Sequence, residues 1–162
     1  MNYAEKLKGM YPTKRTIEEI KIVREKVKGT MYHIPQSINS PQDAFDTIMG
    51  IMDLEKETQE LFGVLALNTK NKVIGFDIIH KGTVNASMVS SRDVFKCLLL
   101  RNATSFICFH NHPSGDPSPS GEDIEVTKKL KSAGEMIDIK LLDHIITGDH
   151  GKYVSLKEKG VL

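Results

Sequence analysis

The side chains with the clearest chemical potential lie in one fourteen-residue stretch, HNHPSGDPSPSGED, at positions 110–123. His110, His112 and Asp123 offer two imidazoles and a carboxylate, which are ligands suited to first-row transition metals. Three such protein ligands leave a fourth tetrahedral position for a reactive water, an arrangement typical of catalytic rather than structural zinc. The stretch therefore predicts a catalytic metal site.

A buried strand and the start of a helix are expected to bring these ligands together. Residues 104–110 (TSFICFH) are apolar and rich in β-forming side chains, which predicts a buried strand. Side chains two apart on a strand lie on the same face, so His110 and His112 can point at one ion. Pro113 ends the strand, and a proline-containing loop leads into a helix that returns Asp123 towards the histidines.

A metal-free interpretation of the same residues has to be weighed. Ser120 and Asp123 form a capping-box pattern, which requires no metal. The two roles are compatible in part, since one carboxylate oxygen can still reach a backbone N–H. His110 and His112 could be a polar strand end, and Asp116 in the loop competes with Asp123 as a ligand. Three ligand types within fourteen residues of strand, loop and helix start favour the metal.

The spacing of these residues resembles a known motif. H-x-H, seven residues, S, two residues, D resembles the JAMM (MPN+) metalloprotease motif, and HNHPSGDPSPS-x-ED resembles its RadC-like branch of JAB-domain proteins. That motif includes a glutamate just before an apolar strand, and Glu60 precedes the apolar segment 61–67 (LFGVLAL). The resemblance runs from about residue 38 to the C-terminus. It includes further segments at 68–71, 81–83, 91–94, 102–103 and 142–146.

The resemblance implies both a fold and an activity. The fold is the JAB1/MPN (cytidine-deaminase-like) α/β fold, a mixed central sheet flanked by helices. The activity is zinc-dependent hydrolysis of an amide or isopeptide bond, with one Zn²⁺ per chain held by His110, His112 and Asp123. Glu60 would be the general base and acid, and Ser120 would donate a hydrogen bond to the oxyanion. Peptides or proteins are the expected substrates.

Two other functions compete with this expectation. The link between RadC-like proteins and DNA repair suggests a DNA-associated metal hydrolase or a repair accessory factor, but the formal net charge of +1 gives no support for nucleic acid binding. A non-catalytic scaffold is the second alternative. Retention of all five motif residues argues against it.

Several other residues have open roles. Asp77, on the strand after the apolar one, is an alternative to Glu60 as the base. Asp143 and His144 could support the metal site or form a satisfied core pair. Cys108 shares a strand face with His110 but is interpreted as a small core side chain, as is Cys97.

Composition bounds the remaining possibilities. The 162 residues are 40% hydrophobic and 27% charged, which is ordinary for a globular domain. The sequence has no run of eighteen apolar residues, so no membrane span is predicted. The polar N-terminus does not resemble a signal peptide. Two cysteines do not make a disulfide framework, so we expect a cytoplasmic protein.

The chain is expected to comprise a flexible basic leader, residues 1–16, and a single domain, residues 17–162. Hydrophobic periodicity predicts alternating strands and helices, and hence an α/β sandwich. The expected strands are 17–28, 61–67, 73–80, 84–89, 104–110, 136–146 and 152–155, and the expected helices begin at Ser40-Pro41, at Ser90 or Ser91, and at Gly121, the last ending near Ala133.

Overall fold

A five-stranded mixed sheet forms the centre of the molecule. The computed structural model describes residues 3–11, 13, 29–83 and 87–162. The strands lie in the order β2-β1-β3-β4-β5, and β3 and β4 are parallel whereas the other neighbouring pairs are antiparallel. The strands are β1 (Leu61–Leu67), β2 (Val73–Lys81), β3 (Ser105–Asn111), β4 (Lys140–Thr147) and β5 (Tyr153–Ser155).

Helices cover both faces of this sheet. On one face, α3 and α4 share an apolar cluster with the side chains of Phe62, Val64 and Phe106. On the other face, α2 packs against a second cluster that includes Leu65 and Ile107. The helices are α1 (Tyr3–Met10), α2 (Pro41–Ile51), α3 (Ser91–Leu100) and α4 (Gly121–Met136), with a short 3-10 helix at Leu54–Lys56. The predicted α/β fold, a mixed sheet between helices, is confirmed.

Strand β1 is buried along its whole length, because it lies between two neighbouring strands and two helical layers. Its apolar sequence suits this position, since a strand that is buried on both faces has no polar side to present. The antiparallel hairpin of β1 and β2, with its polar turn at 68–72, is as predicted.

Helix starts follow the polar residues that were expected to cap them. Ser40 accepts a hydrogen bond from the backbone N–H of Asp43, whose carboxylate accepts one from the backbone of Ser40, so α2 begins with a capping box and a proline in its first turn. At α3 the cap is Ser90 rather than Ser91. These local contacts explain why the helix starts were predictable.

Helix α4 is longer than predicted, and the following strand is shorter. The helix continues to Met136, and β4 begins only at Lys140, so the strand predicted from Met136 was wrong at its start. The N–H of Ile139 bonds to the carbonyl of Gly134 at 2.9 Å, and Asp138 adopts a positive φ of 56° between them. Met136, Ile137 and Ile139 lie in this connection, and their apolar side chains are typical of a strand, which is why the strand was predicted too early.

Some predicted elements fall partly or wholly outside the described residues. The strand predicted at 17–28 and the boundary between leader and domain at residue 16 lie outside them. The proposed leader includes α1, a helix that was not predicted. Of the strand predicted at 84–89, only residues 87–89 are described, and Ser87 and Met88 lie in a turn. No helix of the described part of the chain is long and apolar enough to cross a membrane.

Candidate metal centre

The end of β3 presents two imidazoles to one point. His110 lies on β3 and is fully buried, while His112 follows the last strand residue and is partly exposed. The ring of His110 stacks on Phe62, with centroids 6.2 Å apart, which fixes the ring on the face covered by α3 and α4. The two Nε2 atoms are 3.0 Å apart. The strand therefore brings the predicted pair together.

Helix α4 supplies the carboxylate from its first turn. Asp123 Oδ1 lies 3.1 Å from His110 Nε2, and Oδ2 lies 3.5 Å from His112 Nε2. Oδ2 also accepts hydrogen bonds of 2.7 Å from both the backbone N–H and the hydroxyl of Ser120. The capping box and the imidazole contacts therefore coexist, because the carboxylate has two oxygens and Oδ1 takes no part in capping.

The loop between His112 and Ser120 is held by the end of β4. The N–H of His112 donates to the carbonyl of Thr147 at 2.9 Å, and the N–H of Asp149 donates to the carbonyl of Gly115 at 3.0 Å. Gly115 has a φ of 83°, and a Cβ on Gly148 would lie 2.3 Å from the Gly115 carbonyl oxygen. Glycine is needed at both positions for the loop to lie against the sheet.

The outer nitrogens of the two imidazoles are also engaged. His112 Nδ1 is 2.8 Å from the backbone carbonyl of Asp116, and His110 Nδ1 is 2.8 Å from Nε2 of His144. A carbonyl can only accept, so Nδ1 of His112 carries the proton and neutral His112 has its lone pair on Nε2. Asp116 thus contributes its backbone, while its side chain bonds to Ser118.

The residues present fit a tetrahedral metal. Two zinc ligands about 2.0–2.1 Å from the ion and separated by a tetrahedral angle lie roughly 3.3 Å apart. His110 Nε2 lies 3.0 Å from His112 Nε2 and 3.1 Å from Asp123 Oδ1, and Asp123 Oδ2 lies 3.5 Å from His112 Nε2. One ligand atom from each residue lies within 4.8 Å of the other two. In the described part of the chain, His110, His112 and Asp123 form the group of three whose ligand atoms converge closely enough to hold a metal ion. Neither Asp116 nor Cys108 belongs to this group.

The pKa values of Asp123 and His112 depend on the contact between the carboxylate and the rings. Burial by itself raises the pKa of Asp123, but its contacts with the rings of His110 and His112 outweigh burial and hold that pKa far below its usual range. The hydrogen bond with Asp123 raises the pKa of His112. Burial lowers the pKa of His144 well below its usual value, so this ring is neutral. Burial raises the pKa of the Cys108 thiol, which opposes thiolate formation.

Glu60 and Ser120 share a cleft with two of the candidate ligands, His112 and Asp123. The cleft has a volume of about 290 Å³, and its walls include Glu60, His112, Ser120 and Asp123. Glu60 immediately precedes β1, and its backbone carbonyl accepts a 2.8 Å hydrogen bond from Gly82. Four of the five site residues expected from the sequence thus line one opening, and the fifth, His110, is buried next to His112 and Asp123.

Comparison with known proteins identifies the family of the chain. Residues 38–161 match the RadC-like JAB domain. The chain belongs to the RadC-like JAB domain family. It is 54% identical over 125 residues to the UPF0758 protein YsxA of Bacillus subtilis, covering 77% of this chain and 53% of that protein. A UPF0758 protein of Bacillus cereus is 54% identical over 129 residues, covering 80% and 56%. The chain spans about half the length of the curated relatives it matches.

Of the three additional candidates in this RadC-like JAB domain, only His144 contacts a candidate metal ligand, His110. Asp77 forms a bidentate ion pair with Arg101, through Nε at 2.6 Å and Nη2 at 2.9 Å, and does not line the cleft. The carboxylate of Asp143 accepts hydrogen bonds from Ser155, from the backbone N–H of Lys157 and from that of His144, which joins β4 to the C-terminal segment.

Two residues of the RadC-like site were not singled out from the sequence. Thr127 on α4 contacts His144, and Asn111, between the two histidines, contacts the residues on both sides of Glu60. Asn111 stands inside the motif, which is the one signal that could have indicated it. Thr127 lies four residues after Asp123, so helical spacing places it on the same helix face, but many buried threonines share that relation.

Proposed function

We propose that this RadC-like JAB domain is a zinc-dependent hydrolase of the JAMM type that cleaves amide or isopeptide bonds. One observation carries the proposal. The side chains of His110, His112 and Asp123 converge closely enough to hold a metal ion, and His112 and Asp123 line a cleft that Glu60 also lines. Two imidazole nitrogens that face each other without a proton between them repel, so a cation at their meeting point is favourable. Two neutral imidazoles and one carboxylate suit Zn²⁺ and leave a coordination position open.

When bound, zinc would act as a Lewis acid and lower the pKa of a coordinated water from about 15.7 towards 7. Glu60 is the group of the chain that would accept the proton of the attacking water, because it lies in the same cleft as the candidate ligands His112 and Asp123. It would then deliver that proton to the departing amine nitrogen. A carboxylate serves both steps when its environment is only partly exposed, as it is for Glu60.

Ser120 would stabilise the developing oxyanion with its hydroxyl. In this structure the hydroxyl donates to Asp123 Oδ2, so the proposed role requires it to rotate towards the substrate. Its other bond, from the N–H of Asp123, restricts where the oxygen lies but leaves the O–H direction adjustable. One such donor contributes roughly 3 kcal/mol to transition-state stabilisation.

The cleft favours a peptide or protein substrate over nucleic acid. Besides the ligand Asp123, its walls carry the carboxylates of Glu60 and Glu122, and no lysine or arginine lines it among the described residues. Polyphosphate backbones are bound by Lys and Arg, and carboxylates repel them. The DNA-associated alternative thus has no supporting feature at the metal centre. A reducing cytoplasm would suit the unpaired Cys97 and Cys108.

Metal content is the first experiment. The purified protein should contain about one zinc ion per chain by elemental analysis after dialysis, and His112→Ala should contain none. Glu60→Gln is the matched control, since it changes a cleft residue that is not a proposed ligand and should keep the zinc. If the wild type takes up no zinc even from a zinc-buffered solution, the proposal is wrong.

Turnover is the second experiment. The zinc-loaded protein should be tested against a peptide library, lysine isopeptides and single- and double-stranded DNA. Cleavage of an amide or isopeptide by the wild type and its loss in Glu60→Gln are the expected results. DNA cleavage that depends on zinc and on Glu60 would instead establish the nucleic acid alternative.

A further inference from the structure

A chain of hydrogen bonds connects one proposed ligand with the backbone of another. His110 Nδ1 is 2.8 Å from His144 Nε2, and His144 Nδ1 is 2.6 Å from the hydroxyl oxygen of Thr127. That hydroxyl in turn donates to the backbone carbonyl of Asp123 at 2.6 Å. The chain passes from β3 through β4 to α4, and it ends at the residue whose carboxylate faces the starting ring.

The protons along this chain have one consistent arrangement. The carbonyl of Asp123 can only accept, so the single hydroxyl proton of Thr127 is used there, and Thr127 must accept from His144. Neutral His144 then carries its proton on Nδ1 and has a lone pair on Nε2. That lone pair can only accept from Nδ1 of His110. Neutral His110 is thereby left with its lone pair on Nε2, the atom that faces His112 and Asp123.

Burial excludes water from this chain of hydrogen bonds, so each side chain must find its partner within the chain. His110, His144 and Thr127 each have 0% of their surface exposed, so water cannot replace a lost hydrogen-bond partner of these side chains. Phe62 closes the space beside the rings, stacked on His110 and edge-on to His144 at a centroid distance of 5.5 Å. Leaving a buried polar group without its partner costs about 1–3 kcal/mol. If the bond between His144 and Thr127 were lost, moving the proton of His144 to Nε2 would therefore cost less than leaving Nδ1–H unpaired.

We propose that Thr127 and His144 are positioning residues that set the tautomer of His110 so that Nε2 is free to bind the metal. The inference rests on the proposed metal site, although the tautomer itself is a property of the metal-free protein. Outer hydrogen bonds of this kind orient a ligating imidazole and raise its basicity. Here the relay is made of a second histidine and a helix hydroxyl rather than a carboxylate.

Paired substitutions of Thr127 test the relay. Thr127→Val keeps the shape and removes the hydroxyl, which leaves the Nδ1–H of His144 without an acceptor. We expect zinc affinity, measured by competition with a chelating indicator, to fall about 10- to 100-fold. Thr127→Ser keeps the hydroxyl and should bind zinc within about threefold of the wild type, because the bond that matters for the tautomer is retained. Wild-type affinity in Thr127→Val would overturn the proposal.

Thr47 provides a control for the loss of a buried threonine hydroxyl. It lies on α2, is 0% exposed, and its hydroxyl has no hydrogen-bond partner. Thr47→Val should leave zinc affinity unchanged. A loss as large as in Thr127→Val would show that the effect is a general response of the core and would count against the relay.

Nuclear magnetic resonance separates failure of the relay from failure of the proposed function. In the zinc-free wild type, the ring nitrogen shifts should place the proton of His110 on Nδ1, with a scalar coupling across the hydrogen bond to Nε2 of His144. Thr127→Val should move the His110 proton towards Nε2. If His144 in the wild type carries its proton on Nε2 and donates it to His110, the relay is wrong whether or not zinc binds. This measurement uses the wild type alone and does not depend on a variant folding. A confirmed relay in a protein that takes up no zinc would instead refute the proposed function alone.

Discussion

Asn111 Oδ1 accepts a 2.8 Å hydrogen bond from the backbone N–H of Leu61. The same amide donates through Nδ2 to the carbonyl of Gln59 at 3.1 Å. Glu60 lies between these two residues, and Asn111 lies between His110 and His112. One buried side chain thus connects the backbone on both sides of the proposed base to the strand that carries the proposed ligands, and the bonded residues Leu61 and Asn111 are 50 positions apart in sequence.

Removing this amide should destabilise the fold and displace Glu60. Asn111→Ala leaves the N–H of Leu61 and the carbonyl of Gln59 without their partner, which we expect to lower the free energy of unfolding by about 1–3 kcal/mol. Urea denaturation in the presence of a chelator measures this without a contribution from metal. Asn39→Ala, at an exposed amide, is the control and should change stability by less than about 0.5 kcal/mol. Equal effects in both variants would contradict the assigned role.

Most of the candidate site residues could be predicted from the sequence because they lie close together in it. His110, His112, Ser120 and Asp123 lie in one stretch, and strand periodicity, a proline stop and a capping box are sufficient to place them. The structure places His112, Ser120 and Asp123 with Glu60 at one cleft and buries His110 beside Asp123. Their separations agree with a metal site, which the sequence could suggest but not measure.

The supporting contacts could not be predicted because they depend on register between distant segments. Cys108 lies opposite His144 in the parallel pairing of β3 and β4, and this register is what brings His144 to the face of His110. Thr127 joins them only because α4 lies over the same face. For the same reason the sequence could not show that Asp77 pairs with Arg101, the residue that follows α3.

A glycine in the central strand should be sensitive to a single methyl group. A Cβ on Gly63 would lie 2.4–2.9 Å from the ring of Phe109, which is itself buried. Gly63→Ala should destabilise the protein by about 1–3 kcal/mol, because the ring must move within a packed layer. Gly121→Ala, where a Cβ would meet nothing within 4 Å in the first turn of α4, should be neutral or slightly stabilising. Thermal unfolding of the two variants provides the comparison, and a tolerant Gly63 would contradict the packing described.

The ion pair of Asp77 with Arg101 should be structural and unnecessary for turnover. Asp77→Asn keeps the size of the side chain and removes its charge, and the pair is partly exposed, so a loss of at most about 1 kcal/mol in stability is expected. Hydrolysis by the zinc-loaded variant should match the wild type, whereas Glu60→Gln should be inactive. Loss of turnover in Asp77→Asn with its zinc retained would transfer the role of base from Glu60 to Asp77.

Zinc binding should weaken as the pH falls, because a proton and the metal compete for the same nitrogen. The hydrogen bond with Asp123 raises the pKa of His112 above its ordinary value near 6.5, so a proton competes with the metal for this ring at a higher pH than for an unperturbed histidine. A raised pKa stabilises the metal-free fold at low pH, and this contribution is lost as the pH rises through the folded-state value. Zinc affinity should change in the opposite direction, falling up to about tenfold per pH unit below that pKa and levelling above it. Isothermal titration in buffers of different ionisation enthalpy would count the released proton. Affinity that is independent of pH between about 5 and 8, with no proton released, would show that His112 is not a ligand.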